Sequence, residues 1–273
     1  MRAETFTVAL VTDVFPTEED WDRLPDVVRD AGARGAELVV LPELPLNAWS
    51  PATKVARPED AEDVDGPRQS LMSRVARDAG IPVLGGAIIR DPDSGIRHNT
   101  ALLYDGGGWC RARYGNVHGT SEEVSWEASH HQPGPEPQEA VGGHPMTLGL
   151  QICSDVNRPT GSELLAAMGA EVILAPRCTP LYSYERWKLV LQANAVTSGA
   201  YVISTNRPGP EKGVPIGGAS LAIGPGGEVV LESQGRVSTV TLSRDAVKAA
   251  GAGYPGYLKR FPQLYARGWD RLA

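Results

Sequence analysis

Glu37-Leu-Val-Val-Leu41 contains an unbroken apolar run of strand length. A half-exposed strand alternates apolar and polar residues, so a run without alternation belongs in a strand buried on both faces, with further layers of chain above and below it. The neighbouring segments supply such layers by alternating strand and helix patterns. Residues 5–11 are predicted as a strand, and residues 18–33 as one amphipathic helix opened by Thr17, with Trp21, Leu24, Val27, Val28 and Ala31 on one face. Pro25 falls inside that helix, where it removes a backbone donor. A helix over 66–79 and a strand over 82–89 follow, then an antiparallel pair, 99–104 and 109–114, turned by Asp105-Gly-Gly-Gly108. A third unit has a strand ending at Cys153, a helix over 159–169, a strand over 171–175, a helix over 184–198 and a strand over 200–205. The stretches 217–223, 228–232 and 237–242 read as a meander. The pattern implies an α/β fold with a mixed sheet, or two packed sheets, covered by helices.

A chain of 273 residues that is 41% apolar can bury a large core, and no linker divides it, so a single domain over 1–273 is expected. No signal-like or membrane-length apolar segment is present, and the expected location is cytoplasmic. The net charge of −7 disfavours nucleic acid or an anionic membrane as a partner and leaves a small-molecule substrate. Cys110, Cys153 and Cys178 make no CxxC pair, and the His and Cys spacings match no metal site, so neither metal nor cofactor is expected.

Cys153 ends the apolar run Met146-Thr-Leu-Gly-Leu-Gln-Ile-Cys153 and precedes a helix start, where open α/β folds place their chemistry. Glu43 follows a buried strand and Pro42 at the same edge. Glu127 lies in Trp126-Glu-Ala-Ser-His-His131, which by itself reads as a polar loop.

Together these segments resemble the nitrilase superfamily of carbon–nitrogen hydrolases. Val40-Leu-Pro-Glu43 is similar to the segment carrying the family's general base, and Gly149-Leu-Gln-Ile-Cys-Ser-Asp155 to the segment carrying its nucleophile. Supporting matches are His98-Asn-Thr-Ala-Leu-Leu103, Gly169-Ala-Glu-Val-Ile-Leu-Ala-Pro176, Ala200-Tyr-Val-Ile-Ser-Thr-Asn-Arg207 and Gly224-Pro-Gly-Gly-Glu228. The resemblance implies an αββα sandwich that dimerises through its helices. It also implies attack by Cys153 on an amide or nitrile carbon, with Glu43 moving the proton, Glu127 orienting the site and the Ser154 N–H facing the oxyanion.

The chain departs from that pattern in the middle motif. The family's Tyr-Arg-Lys-x-His stands here as Tyr114-Gly-Asn-Val-His118, so Asn116 occupies the lysine position. Losing one oxyanion donor costs about 2.7–4 kcal/mol in other hydrolases. Gly115 and Asn116 are smaller than the residues they replace and would widen the pocket. Arg177, after Pro176, is the candidate for a replacement cation, able to clamp a substrate carboxylate or phosphate. Trp49, Trp126 and His131 are further candidates for lining the substrate site, while His118 is expected in a hydrogen-bonded core role and Cys178 in a loop without a base. The expected function is a cysteine-dependent amidase acting on a small polar or carboxylate-bearing amide. The alternative is a repurposed fold that performs acyl transfer, cyclisation or amide formation, or only binds a ligand.

Overall fold

The computed structural model describes residues 4–121 and 125–272. β1 (Thr5–Val11) leads to two short helices, α1 (Glu18–Trp21) and α2 (Leu24–Ala33), then to β2 (Leu38–Val40). The single helix expected over 18–33 is therefore two. A capping box between Thr17 and Asp20 starts α1, which ends after one turn, and Pro25 lies in the first turn of α2. There its missing N–H costs nothing, because first-turn amides have no intrahelical acceptor.

β3 (Ala61–Glu62), α3 (Pro67–Ala79), β4 (Val83–Arg90), β5 (Arg97–Tyr104) and β6 (Cys110–Gly115) complete the first half. β7 (Ala140–Val141), β8 (Leu148–Leu150), α4 (Pro159–Ala167), β9 (Val172–Leu174), α5 (Tyr184–Ser198) and β10 (Tyr201–Ser204) form most of the second. β11 (Ser220–Ile223), β12 (Val229–Ser233), β13 (Val237–Ser243), α6 (Arg244–Ala252) and α7 (Pro262–Trp269) follow.

One sheet has the order β13-β1-β2-β4-β5-β6 with β3 beside β4, and the other β12-β11-β10-β9-β8-β7. The expected meander is thus divided. β11 and β12 pair in the second sheet, but β13 crosses to the first and runs antiparallel to β1 from Thr5↔Ser243 to Val11↔Val237. A strand pattern says which residues face a core without saying which sheet edge receives the strand.

Side-chain alternation builds three apolar layers. Phe6, Val8, Leu10, Leu38, Val40 and Leu84 of the first sheet meet Leu148, Leu150, Val172, Leu174 and Ile203 of the second. On the outer face of the first sheet, Ala9, Val39 and Val83 pack with Val27, Val28, Met72 and Val75 of α2 and α3. On the outer face of the second, Ile173, Val202 and Leu221 pack with Leu165, Leu191 and Ala195 of α4 and α5. This is the αββα sandwich, and it explains the opening run: Val39 and its neighbours Leu38 and Val40 are all needed, one face for each layer.

Candidate active site

The carboxyl ends of β2 and β8 meet at one edge of the sandwich, and the two sheets are joined there where Thr205, just beyond β10, donates its Oγ1 hydrogen to Leu41 O at 2.8 Å. Beyond β2 the chain turns sharply, with Leu44 in the left-handed region at φ 46°. That conformation is strained for leucine and persists because the surroundings impose it. Arg207 supplies the restraint, donating to the carbonyls of Glu43, Leu44 and Asn47 at 2.9, 2.8 and 2.9 Å while pairing with Glu211. Glu43 is thereby turned inward and buried, and its Oε1 accepts from Asn99 Nδ2 at 2.7 Å. Among the described residues its Oε2 has no partner apart from the Cys153 thiol, which hydrogen-bonds the carboxylate.

Cys153 also has a left-handed backbone, at φ 44°, and opens the 3-10 turn Cys153–Asn157. Its N–H donates to Pro176 O at 2.9 Å, so the β8–β9 ladder extends up to the thiol. The first amides of such a turn lack acceptors within it, which leaves the Ser154 N–H able to face a developing oxyanion. Asp155 organises the turn. Its carboxylate accepts from Ile152 N and Tyr114 OH at 3.0 and 2.8 Å, and from the Val117 and His118 amides at 3.2 and 3.1 Å. His118 Nδ1 lies 2.9 Å from it, with a side chain 40% exposed, so this histidine is a hydrogen-bonded rim residue instead of the core residue expected.

The third segment brings in Glu127, whose Oε2 accepts from Thr120 N at 2.9 Å. One ligand atom each from Glu43, Glu127 and Cys153 lie within 4.8 Å of one another, and all three residues are buried. The expectation of no metal rested on His and Cys spacing, which is blind to this set; two carboxylates and a thiolate could also hold a divalent cation. Burial, then repulsion from Glu127, raises the pKa of Glu43. Burial also raises that of Glu127, against the Thr120 hydrogen bond. Burial, then both carboxylates, pushes the Cys153 thiol well above its ordinary range. Each shift favours the protonated form, so the three groups compete for negative charge instead of all carrying it.

Asn116 lies within this frame. Its N–H donates to Asn99 O and its carbonyl accepts from Gly134 N, both at 2.8 Å. Its side-chain Nδ2 donates to Ile152 O at 3.0 Å, and its buried Oδ1 has no partner among the described residues. Gly115 does not widen the pocket as expected: an added Cβ there would lie 2.9 Å from Gly134 Cα, so the space is filled by backbone.

Arg177 also departs from expectation. The residue is wholly buried, and its guanidinium donates to Thr179 Oγ1, Ser204 O, Ser204 Oγ and Ala219 O at 3.1, 3.0, 2.8 and 2.6 Å. Those four bonds engage four of its five N–H groups, leaving no free fork for a substrate anion. Burial holds its pKa down, at about 10.

Trp49 is buried beside Leu44, Ile88, Cys178, Val214 and Ile216, and its backbone N–H donates to Glu211 Oε1. Trp126 starts the turn that carries Glu127 and has Lys54 Nζ 3.9 Å from its ring centre. His131 is buried with both ring nitrogens unpartnered among the described residues; burial and then His130 and His98 depress its pKa to about 4. Cys178 is closer to the chemistry than its loop position suggested, with its carbonyl 3.9 Å from Cys153 Sγ. Asn99 and Asp155 were not singled out in the sequence, although both lie within quoted motifs, His98-Asn-Thr100 and Cys153-Ser-Asp155.

The chain matches the carbon-nitrogen hydrolase family model over residues 11–252. It is 26% identical to the 2-oxoglutaramate amidase of Paenarthrobacter nicotinovorans over 257 residues, covering 91% of this chain and 86% of that protein. It is 30% identical to a hydrolase of Mycobacterium tuberculosis over 241 residues, 81% and 82% of the two chains. An amidase structure from Nesterenkonia sp. superposes with a TM-score of 0.80 at 26% identity, covering 98% of both chains. A carbon-nitrogen hydrolase structure from Helicobacter pylori G27 superposes at 0.86 with 18% identity, covering 96% and 97%, a likeness of fold.

Proposed function

Since the chain belongs to the carbon–nitrogen hydrolase family, we propose that it hydrolyses a small polar amide through an acyl thioester on Cys153. The observation that carries this reading is the buried convergence of Cys153, Glu43 and Glu127 within 4.8 Å. Glu43 takes the thiol proton as Sγ attacks the carbonyl carbon, and the Ser154 N–H receives the oxyanion. Collapse breaks the C–N bond, and the proton goes from Glu43 to the departing amine. Glu43 then deprotonates the water that opens the thioester, releasing the acid and restoring the thiol. Asn99 positions Glu43 through its 2.7 Å hydrogen bond, and Trp49 walls the substrate space beside Cys178.

Asn116 at the lysine position favours a second reading, in which the same thioester is passed to an amine instead of water. Ammonia release and intact mass, measured together on a panel of amides and one nitrile, separate the two. Hydrolysis gives free acid and ammonia with a transient adduct on Cys153, transfer gives ammonia with a new amide, and a mere binder gives neither.

The proposed protein is one domain over 1–273 and acts as a cytoplasmic homo-oligomer. Exposed Tyr254, Tyr257, Phe261, Leu264, Tyr265 and Trp269 in and before α7 support the oligomer, since an apolar series of that kind is covered in stable assemblies. Sedimentation of the parent and of a Phe261→Ser, Tyr265→Ser variant tests it; a monomeric parent removes the proposal.

A further inference from the structure

Glu211 lies outside the Cys153–Glu43–Glu127 cluster, yet both of its carboxylate oxygens hold the segment that carries the base. Oε2 accepts from Arg207 Nε and Nη2 at 3.2 and 2.5 Å, and Oε1 accepts from the Trp49 backbone N–H at 2.5 Å. The other N–H groups of Arg207 go to the carbonyls of Glu43, Leu44 and Asn47. All five donors of the guanidinium are thereby engaged, and among the described residues Glu211 is the only anion paired with it. The guanidinium carbon also lies 5.7 Å from the centre of the Trp49 ring. Glu211 is itself restrained on both sides. Pro208 and Pro210 fix the backbone between it and Arg207. Beyond it, Glu211 and Val214 exchange backbone hydrogen bonds at 3.0 and 2.9 Å around Lys212 and Gly213, whose φ angles are 49° and 82°. Two successive left-handed residues make a tight hairpin turn, and Val214 anchors it in the apolar cluster that holds Leu44 and Trp49.

We infer that Glu211 is a positioning residue for the reaction: through Arg207 and the Trp49 amide it holds residues 43–49 in the turn that aims Glu43 at Cys153. The inference rests on the amidase reading and adds to it a residue distant from the thiol. The turn needs such a hold, because Leu44 at φ 46° keeps a left-handed backbone only while its surroundings impose it. Without the Glu211 carboxylate, Arg207 is a buried charge facing carbonyls alone, which favours its withdrawal toward water. The Glu43 and Leu44 carbonyls then lose their donor, and the Glu43 side chain loses the backbone geometry that presents it to the thiol. The far end of the segment loosens too, since the Trp49 ring packs against Leu44, Cys178 and Ile216 from an amide that Glu211 fixes. A change at Glu211 therefore reaches both the base and the wall of the substrate space. Charge leaves a further signature. Burial and then Glu127 raise the pKa of Glu43, while Cys153, Asn99 and Arg207 oppose the rise. Glu211 partly neutralises Arg207, so removing the Glu211 charge strengthens that opposition and lowers the pKa of Glu43.

Glu211→Gln and Glu211→Asp are compared with the parent by thermal unfolding, by kcat and KM for ammonia release from butyramide, and by the pH dependence of Cys153 alkylation with iodoacetamide. In the alkylation Sγ bonds the methylene carbon, iodide leaves and Glu43 takes the thiol proton, so the base is reported without amide cleavage. Glu211→Gln is expected to lower kcat about 10- to 100-fold, the scale of a reacting group displaced by about 1 Å, and to raise KM. Its alkylation limb is expected to move to lower pH. Glu211→Asp keeps the charge and the limb, but it is one methylene too short to reach Arg207 and Trp49 together, and its kcat is expected to fall; it decides the matter if the glutamine variant does not fold. Parent-like kcat in folded Glu211→Asp overturns the inference, as does a folded Glu211→Gln protein whose limb stays in place, since Glu211 then serves the fold alone. If the parent cleaves neither butyramide nor any other simple amide while the limb moves as expected, the amidase reading falls and the positioning role stands. If the parent cleaves butyramide and the limb does not move, the reverse holds.

Discussion

Gly115 and Gly134 cross backbone against backbone: an added Cβ on Gly115 would lie 2.9 Å from Gly134 Cα, and one on Gly134 would lie 2.4 Å from Gly115 O. The crossing carries Gly134 N to Asn116 O at 2.8 Å and so joins the strand bearing Asn116 to the loop that follows Glu127. Gly115→Ala is expected to destabilise the fold by about 1–3 kcal/mol, the usual cost of overpacking. Because Asn116, the next residue, bonds Ile152 O directly before the nucleophile, kcat is expected to fall as well. Thermal unfolding and kinetics check the pair; an alanine variant as stable and active as the parent shows that the loops can separate freely.

Cys153→Ala removes the nucleophile while replacing one small buried residue by another. Turnover is expected to fall to background with the unfolding transition preserved, and the adduct seen by mass spectrometry on the parent is expected to disappear. Covalent chemistry at this thiol is excluded if the variant still turns over.

Glu43 titrates in the opposite direction from a salt-bridged carboxylate. Its folded pKa is raised, so between the unfolded value near 4.5 and the raised value the folded state holds the extra proton, and stability falls as pH rises through that window. Each tenfold change in acidity corresponds to about 1.4 kcal/mol. Glu43→Gln, which mimics the protonated group, is expected to be more stable than the parent in alkaline buffer and no more stable below pH about 4.5. Activity needs the ionised base, so the acid limb of kcat/KM for the parent is expected well above the ordinary carboxylate range. A limb near pH 4.5 contradicts this account.

Arg177→Met tests whether that side chain serves the fold or the ligand. The substitution leaves Ser204 O and Ala219 O without their donor, and a loss on the order of 1–3 kcal/mol per orphaned group is expected in denaturant unfolding. KM of the folded enzyme is expected to change little. A large rise in KM at unchanged stability returns Arg177 to the substrate.

Asn99→Leu removes the donor to Glu43 Oε1 and is expected to lower kcat about 10- to 100-fold through a misplaced base. The pH limb of kcat/KM is expected to move upward, since the charged carboxylate loses its hydrogen bond; a purely structural role leaves that limb in place.

Local pattern alone determined much of this molecule. The runs ending before Glu43 and at Cys153 are apolar because strands buried on both faces have nowhere to put polar groups, and this was enough to put each side chain at the carboxyl end of a strand, although the two strands belong to different sheets instead of sharing one sheet edge. Thr17, Pro25 and the spacing of α5 are likewise local signals, although Pro25 divided the helix it seemed only to weaken. Tertiary structure decided what depends on partners distant in sequence. β13 joins β1 across more than two hundred residues, a choice no local window contains. Arg177 looked available because it follows a strand end, but Ser204 and Ala219 hold it, and hydrogen-bond satisfaction in a buried setting outweighs position in the chain. Asn116 was legible as a missing charge; that its amide turns toward Ile152 and leaves an acceptor facing no donor follows from three-dimensional packing alone.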